Sequence, residues 1–327
     1  MIYICNYMKR FYCPLFLLLL ITSCGHQKGD GNNGSSDTAS VDLQTLNKKI
    51  LDDPNNAELY HQRSKYHFNN KDLNAAAADM NRVMKLDSNN ASYYLTLSEI
   101  YFTGNKTSKA KEALEKCISI DTANTEALMK LGELFLYVKK YEESIKCINK
   151  VLRKEPYHSK AYLIKGMNYA EKGDTNLAVS SMQTAVEQNP DYNSYILLAN
   201  ILAAKKEKLA LDYYNNALKL QPKSTEALYD KAKFFQDIKM LPEAIATYQQ
   251  LLGIDPEYAE AHYNLGAIDL LANKDFKSAL NHFDDAIKSN GNYATAYFAR
   301  GTCYKMTGNI PQAEKDFETA ARLGSEQ

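Results

Sequence analysis

From Val41 onward, short stretches with helical apolar spacing alternate with polar breaks, and the stretches come in pairs. The clearest pair runs from Thr225 to Tyr258, TEALYDKAKFFQDIKMLPEAIATYQQLLGIDPEY. Its apolar residues recur at intervals of three and four, the spacing of one face of a helix. The pattern predicts two amphipathic helices, a break at Lys239-Met240-Leu241-Pro242, and a stop at Asp255-Pro256. Proline ends the second helix because it lacks the N–H and the room to continue. Ala232 and Ala244 are small where the two helices must approach closely. Ahead of all the pairs, Leu43, Leu46 and Ile50 precede Asp53-Pro54 and predict a lone capping helix within residues 41–56.

The paired unit recurs through residues 57–327, as 57–90, 91–124, 125–158, 159–192, 193–224, 225–258, 259–293 and 294–327. Position 8 is Ser64, Ser98, Gly132, Gly166, Ala199, Ala232, Gly266 and Gly301. Position 20 is Ala76, Ala110, Ser144, Ala178, Ala210, Ala244, Ala279 and Ala313. All of these are small. Tyr60, Tyr94, Tyr162, Tyr195 and Tyr297 fill an aromatic position near the start, and Pro156, Pro190, Pro222 and Pro256 end units. Self-similarity at such a period signals stacked helical repeats. The pattern resembles the tetratricopeptide repeat family. That resemblance implies an all-α, right-handed superhelical solenoid of about eight helix-turn-helix repeats. The fifth unit is about two residues short and the seventh one residue long, differences expected to fall in turns.

Charge and chemistry narrow the function classes. Lys+Arg and Asp+Glu both number 39, so the formal net charge is zero and there is no basic excess for nucleic acid. Outside the leader stand Cys117, Cys147 and Cys303, an odd number with neither a disulfide framework nor a CxxC metal pattern. Cys117 reads as a core thiol, and Cys147 lies in the next unit, where a bridge to it is geometrically conceivable. No phosphate loop, dinucleotide fingerprint, HExxH or GxSxG occurs, so no enzyme and no cofactor are expected. The six histidines contain no i, i+4 pair, and His262, at the aromatic helix position, reads as a packed residue; no metal site is expected.

The N-terminus reads as an address. Lys9 and Arg10 precede an apolar run from Phe11 to Ile21, about half of what spans a bilayer. Ile21-Thr22-Ser23-Cys24 resembles the bacterial lipobox. The resemblance implies a signal peptide over residues 1–23, cleavage before Cys24, and a lipid on its thiol. Gly25 in place of Asp, and no acidic cluster after Cys24, lean by the same resemblance toward an outer-membrane anchor facing the periplasm. Met8 serves as a start as well as Met1 does. Residues 24–40 hold the lipidated cysteine and a Gly/Ser/Asn-rich tether whose ends would lie roughly 20–25 Å apart.

Helical geometry also predicts a binding face. Positions 2, 5, 9 and 12 of the first helix of each unit lie within about 80° of one another. In the resembled family this face lines a concave groove that binds peptides or partner helices. Here it carries Phe68, Leu95, Phe102, Met129, Leu136, Leu163, Met167, Ile196, Tyr229, Tyr263, Leu270 and Phe298. Lys65, Glu99, Glu126, Glu133, Lys233 and Lys305 punctuate it. An exposed apolar strip of this kind marks an interaction site, unless its members pack between adjacent helices. The carboxylate clamp of cytosolic co-chaperones does not fit, because its positions fall on His61, Lys65, Thr96, Glu126 and Lys130. The expected function is a membrane-anchored adaptor that binds one or more envelope proteins. The resembled lipoproteins organise peptidoglycan enzymes or assist pilus, outer-membrane or secretion machinery. Glycan binding through the tyrosines, and self-association, remain the alternatives.

Overall fold

The computed structural model describes residues 42–325, with the side chain of Ser325 left aside. The leader, Cys24 and the tether lie outside the described residues. Every regular element described is helical. The chain divides between Asn189 and Pro190 into two compact units, which are described separately.

The N-terminal unit begins with α1 (Leu43–Asp52) and continues in pairs of an A helix and a B helix. The pairs are α2 (Ala57–Asn69) with α3 (Leu73–Leu86), α4 (Ala91–Thr103) with α5 (Thr107–Ile120), α6 (Thr125–Tyr137) with α7 (Tyr141–Lys154), and α8 (Ser159–Lys172) with α9 (Thr175–Gln188). The C-terminal unit pairs α10 (Tyr192–Ala204) with α11 (Ala210–Leu220), α12 (Thr225–Asp237) with α13 (Leu241–Leu252), α14 (Ala259–Ile268) with α15 (Phe276–Ser289), and α16 (Ala294–Met306) with α17 (Ile310–Ser325).

Each pair crosses at its small residues. A Cβ added at Gly166 would stand 2.5 Å from Met182 Cγ and 3.2 Å from the carbonyl oxygen of Ala178. One added at Gly266 would stand 2.8 Å from Phe283 and 3.2 Å from the Ala279 carbonyl. At two of the three serines in these places the hydroxyl bonds across the same gap, whereas Ser98 Oγ donates to the Leu95 carbonyl of its own helix. Ser64 Oγ donates to the Ala76 carbonyl at 2.9 Å, and Ser144 Oγ to the Gly132 carbonyl at 2.7 Å. Around the crossings the apolar faces close into cores. One gathers Met80, Val83, Tyr93, Leu97 and Ile100, and another Leu228, Phe235, Tyr248, Leu251 and Leu265.

The turn inside every pair is the same device. One turn residue is left-handed in each of the eight pairs: Lys71, Asn105, Lys139, Gly173, Lys206, Lys239, Lys274 and Gly308. In seven of them the next amide donates back to a carbonyl five residues earlier, as Met240 does to Phe235 at 2.8 Å, which satisfies a helix-end carbonyl. The seventh pair differs. Its extra residue winds the end of helix A into a π-helical segment, Asp269–Asn273, so that Asp275 donates to the Asp269 carbonyl six residues back. The missing residues of the fifth pair are also located: the linker 189–191 is shorter than its counterparts, and α11 begins late, at Ala210.

The end repeats carry a clamp of their own. Arg63 grips the buried Asp79 with two bonds, Nε to Oδ2 at 2.8 Å and Nη2 to Oδ1 at 2.6 Å, and reaches Asn47 of α1 with Nη1 at 2.7 Å. Arg300 repeats this on Asp316, at 2.8 and 2.7 Å, with Nη1 reaching Asp284 of α15 at 2.6 Å. Asn47 lies sixteen residues before Arg63, as Asp284 lies sixteen before Arg300. α1 therefore stands in the register of a B helix. It covers the first A helix with Leu46 and Ile50.

Two substitutions test these features. Gly266→Val should lower stability by about 2–4 kcal/mol in urea or thermal unfolding, because the crossing has no room for its branches. Lys239→Gly should raise it by about 0.5–1 kcal/mol, since a residue with a Cβ is strained in the left-handed turn.

Candidate binding face

The predicted face divides by burial. Met129, Leu136, Leu163, Met167, Ile196 and Leu270 are buried, which corrects the expectation that they lie open in a groove. Phe68, Leu95, Phe102, Tyr229 and Tyr263 are half-buried, and Phe298 is 58% exposed. The physical reason is side-by-side packing of consecutive A helices, which draws much of this face into the seam between them.

In the N-terminal unit polar groups stitch that seam. His61 Nε2 meets Thr96 Oγ1 at 2.8 Å, Lys130 Nζ meets Glu99 at 2.8 Å, and Lys160 Nζ meets Glu133 at 2.7 Å. The acidic groups that punctuate the face, Glu99, Glu126 and Glu133, are thus paired with Lys130 and Lys160. Lys130 and Thr96, two of the positions considered for a carboxylate clamp, are already engaged in these contacts. Phe102 stacks edge-on against Tyr137, with ring centroids 5.8 Å apart.

The C-terminal unit gathers an aromatic strip instead. Tyr229 lies against Tyr258 at 5.5 Å and Tyr248 at 6.1 Å; Tyr263 lies against Tyr293 at 5.4 Å and Phe283 at 6.0 Å. Phe298 follows, 5.3 Å from Phe317. Burial pushes the Tyr229, Tyr263 and Tyr293 phenols above their ordinary range, so near neutral pH they remain protonated donors. Asn264 Nδ2 donates to Tyr229 Oη at 3.4 Å, and Lys233 pairs with Asp237 at 2.8 Å. Aromatic faces edged by neutral hydroxyls suit an extended polypeptide, whose own amides both donate and accept.

Helix periodicity missed Tyr258 and Tyr293 because they sit outside it. Each is the residue immediately before an A helix. A signal was available in their equivalent places at the ends of consecutive repeats.

Cys117, Cys147 and Cys303 are free, buried thiols, so the conceivable Cys117–Cys147 bridge is not formed. Burial pushes both Cys117 and Cys147 up to about 11, which keeps them un-ionised and inert. His262 and His282, far apart in sequence, meet across the seventh pair with Asp285 beside them.

Comparison with known proteins now adds to the geometry. Family models described as tetratricopeptide repeat match residues 57–90, 91–124, 125–158, 159–192 and 264–327, and one described as TPR repeat matches 240–268. The chain belongs to the tetratricopeptide repeat family. It is 33% identical over 144 residues to anaphase-promoting complex subunit 3 of Schizosaccharomyces pombe, covering 43% of this chain and 22% of that protein. It is 28% identical over 174 residues to the type IV pilus assembly protein PilF of Pseudomonas aeruginosa, covering 51% of this chain and 67% of that one. The type IV pilus biogenesis factor PilW superposes with a TM-score of 0.56 at 21% identity, over 63% of this chain and 96% of that one, which speaks for the fold. This chain spans little more than a third, at most, of the length of the eukaryotic relatives it matches. Tetratricopeptide repeats are protein-binding scaffolds, generally without enzymatic activity. Among the described residues no helix is long and apolar enough to cross a membrane.

One seam contact generates a pH prediction. Burial, reinforced by Lys65 and opposed by Glu58, holds the His61 imidazole below its ordinary value of 6.5. The ring is then neutral in the folded state and readily protonated in the unfolded one. Its contribution is complete above about pH 6.5 and is lost as pH falls below that value through the folded pKa. Amide exchange in α2 should therefore quicken between pH 7.5 and 5, after correction for intrinsic rates, and His61→Gln should flatten that dependence.

Proposed function

We propose that this protein is a lipid-anchored adaptor of the bacterial cell envelope, which captures a partner protein through the aromatic A-helix strip of its C-terminal unit. The observation that carries the reading is Phe298, open to solvent at the end of a run of half-buried aromatics, Tyr229, Tyr258, Tyr263 and Tyr293. A large exposed phenyl ring that continues an ordered aromatic row is costly in water and valuable at an interface. The half-buried tyrosines supply area already fixed in place, so little side-chain entropy is lost on binding.

The lipobox-like Ile21-Thr22-Ser23-Cys24 supports the anchor, by which the lipid on Cys24 holds the repeats at a membrane, the periplasmic face of the outer membrane on this reading. The match to a pilus assembly protein over two thirds of that protein's length supports a role in building an envelope structure. Anchoring raises the local concentration of the strip toward partners in the same membrane, so that individually weak contacts suffice.

A photo-crosslinking amino acid placed at Phe298 in living cells should capture a defined envelope protein, whereas the same group at Gln249, exposed on α13, should not. Phe298→Ala should reduce capture by the purified protein about tenfold and leave the melting temperature within about a degree, because the ring is largely outside the core. Unchanged capture would remove the strip from the interface. A crosslink only to a second copy of the chain would replace the adaptor with self-assembly.

A further inference from the structure

The seventh pair departs from the other seven at one place, and three metal-ligating side chains converge there. His262 on α14, His282 on α15 and Asp285 one turn further along α15 each offer a ligand atom, all within 4.8 Å of one another. Which nitrogen of each imidazole is free can be worked out from its neighbours. His262 takes the place that tyrosine holds in the first two pairs. There Tyr60 Oη donates to the Pro54 carbonyl and Tyr94 Oη to the Ser88 carbonyl, each six residues back. His262 Nε2 lies 2.9 Å from the Pro256 carbonyl, again six residues back. A carbonyl oxygen can only accept, so Nε2 carries the proton and Nδ1 keeps its lone pair.

For His282 the second nitrogen faces a carboxylate. Its Nε2 lies 3.6 Å from Asp269 Oδ2, within ion-pair range but beyond a hydrogen bond, and the carboxylate favours the proton on that nitrogen. Asp269 opens the π-helical segment, and Asn273 Nδ2 holds its other oxygen at 2.9 Å. The Nδ1 atoms of both histidines are buried and have no hydrogen-bond partner. One imidazole is thus held by a backbone carbonyl and the other faces a carboxylate, and neither Nδ1 has a partner. Such outer partners are the ones that orient histidine ligands. Single π-turns inside α-helical repeats also concentrate at functional sites.

We propose that the seventh pair binds one divalent transition-metal ion of the zinc class through Nδ1 of His262, Nδ1 of His282 and the carboxylate of Asp285. Two imidazoles and a carboxylate are borderline donors, which select zinc and its neighbours over calcium or magnesium. A tetrahedral ion with bonds of about 2.1 Å needs its ligand atoms roughly 3.4 Å apart. The exposed Asp285 side chain swings in to close that distance. The fourth position faces solvent on the Asp285 side and takes water or a donor from a bound molecule. The extra residue of the seventh unit then has a use: it turns the end of helix A so that Asp269 supports His282.

The test is a Zn(II) titration of the full chain in detergent, first stripped with EDTA, against a chromophoric chelator. Wild type should bind zinc at this site. His262→Gln, His282→Gln and Asp285→Asn should each weaken that binding at least about tenfold. His67→Gln, in the first pair, should leave it unchanged. Asp285 is exposed, so its variant cannot lose zinc by unfolding, and far-UV circular dichroism checks the helicity of the histidine variants. Zinc affinity equal to wild type in both histidine variants would overturn the proposal. So would an ion sensitive to Asp285→Asn alone, or no binding by the wild type.

Discussion

The close crossing of the two helices in each pair is the constraint from which the rest follows. At Gly166 and Gly266 the facing backbone carbonyl is so near that even a methyl group crowds it, and Ser64 and Ser144 at other crossings bond directly to the carbonyl they face. Helices that approach this closely bring large residues such as Met182 and Phe283 over the gap, where they seal it from water. The crossing also fixes the turn. With the helices this near, the chain must reverse within a few residues, which one left-handed turn residue accomplishes in every pair. Nearest-neighbour stacking then extends a core that no single pair could bury.

This much was written in the sequence because it depends on residue size at fixed spacing, and size is legible. The period, the small residues and the prolines led to the all-helical repeat fold. Accessibility was less legible. Helix periodicity says which way Met129, Leu163 or Ile196 points, but not how near the next A helix lies, and that distance decides whether a side chain faces solvent or a seam. Glu99 and Glu133, read as punctuation on an open surface, turn out to be stitches to Lys130 and Lys160, and His61 and Thr96, weighed as clamp positions, bond to each other.

Tyr258, Tyr293 and the histidine cluster show a second limit. The two tyrosines precede their helices, so no helical pattern includes them. His262 and His282 are brought together by the pairing of α14 with α15, with the Pro256 carbonyl and the Asp269 carboxylate beside their Nε2 atoms. A rule that looks for histidines four apart on one helix cannot find a pair assembled across two. The inserted residue was visible in the count, but its conformation was not; it was expected in a turn and is found as a π-helical segment.

The left-handed turns carry a consequence for the distribution of charge. Glycine would fit the left-handed turn position without strain, yet five of the eight residues there are lysines. In the C-terminal unit they stand in three successive pairs, at Lys206, Lys239 and Lys274. Several of these ammonium groups have a carboxylate beside them, Asp72 next to Lys71, Glu207 next to Lys206 and Asp275 next to Lys274, so the charges of those turns are partly balanced on the spot. Where no acidic neighbour follows, as at Lys139-Lys140 and Lys239-Met240, the turn itself carries net positive charge.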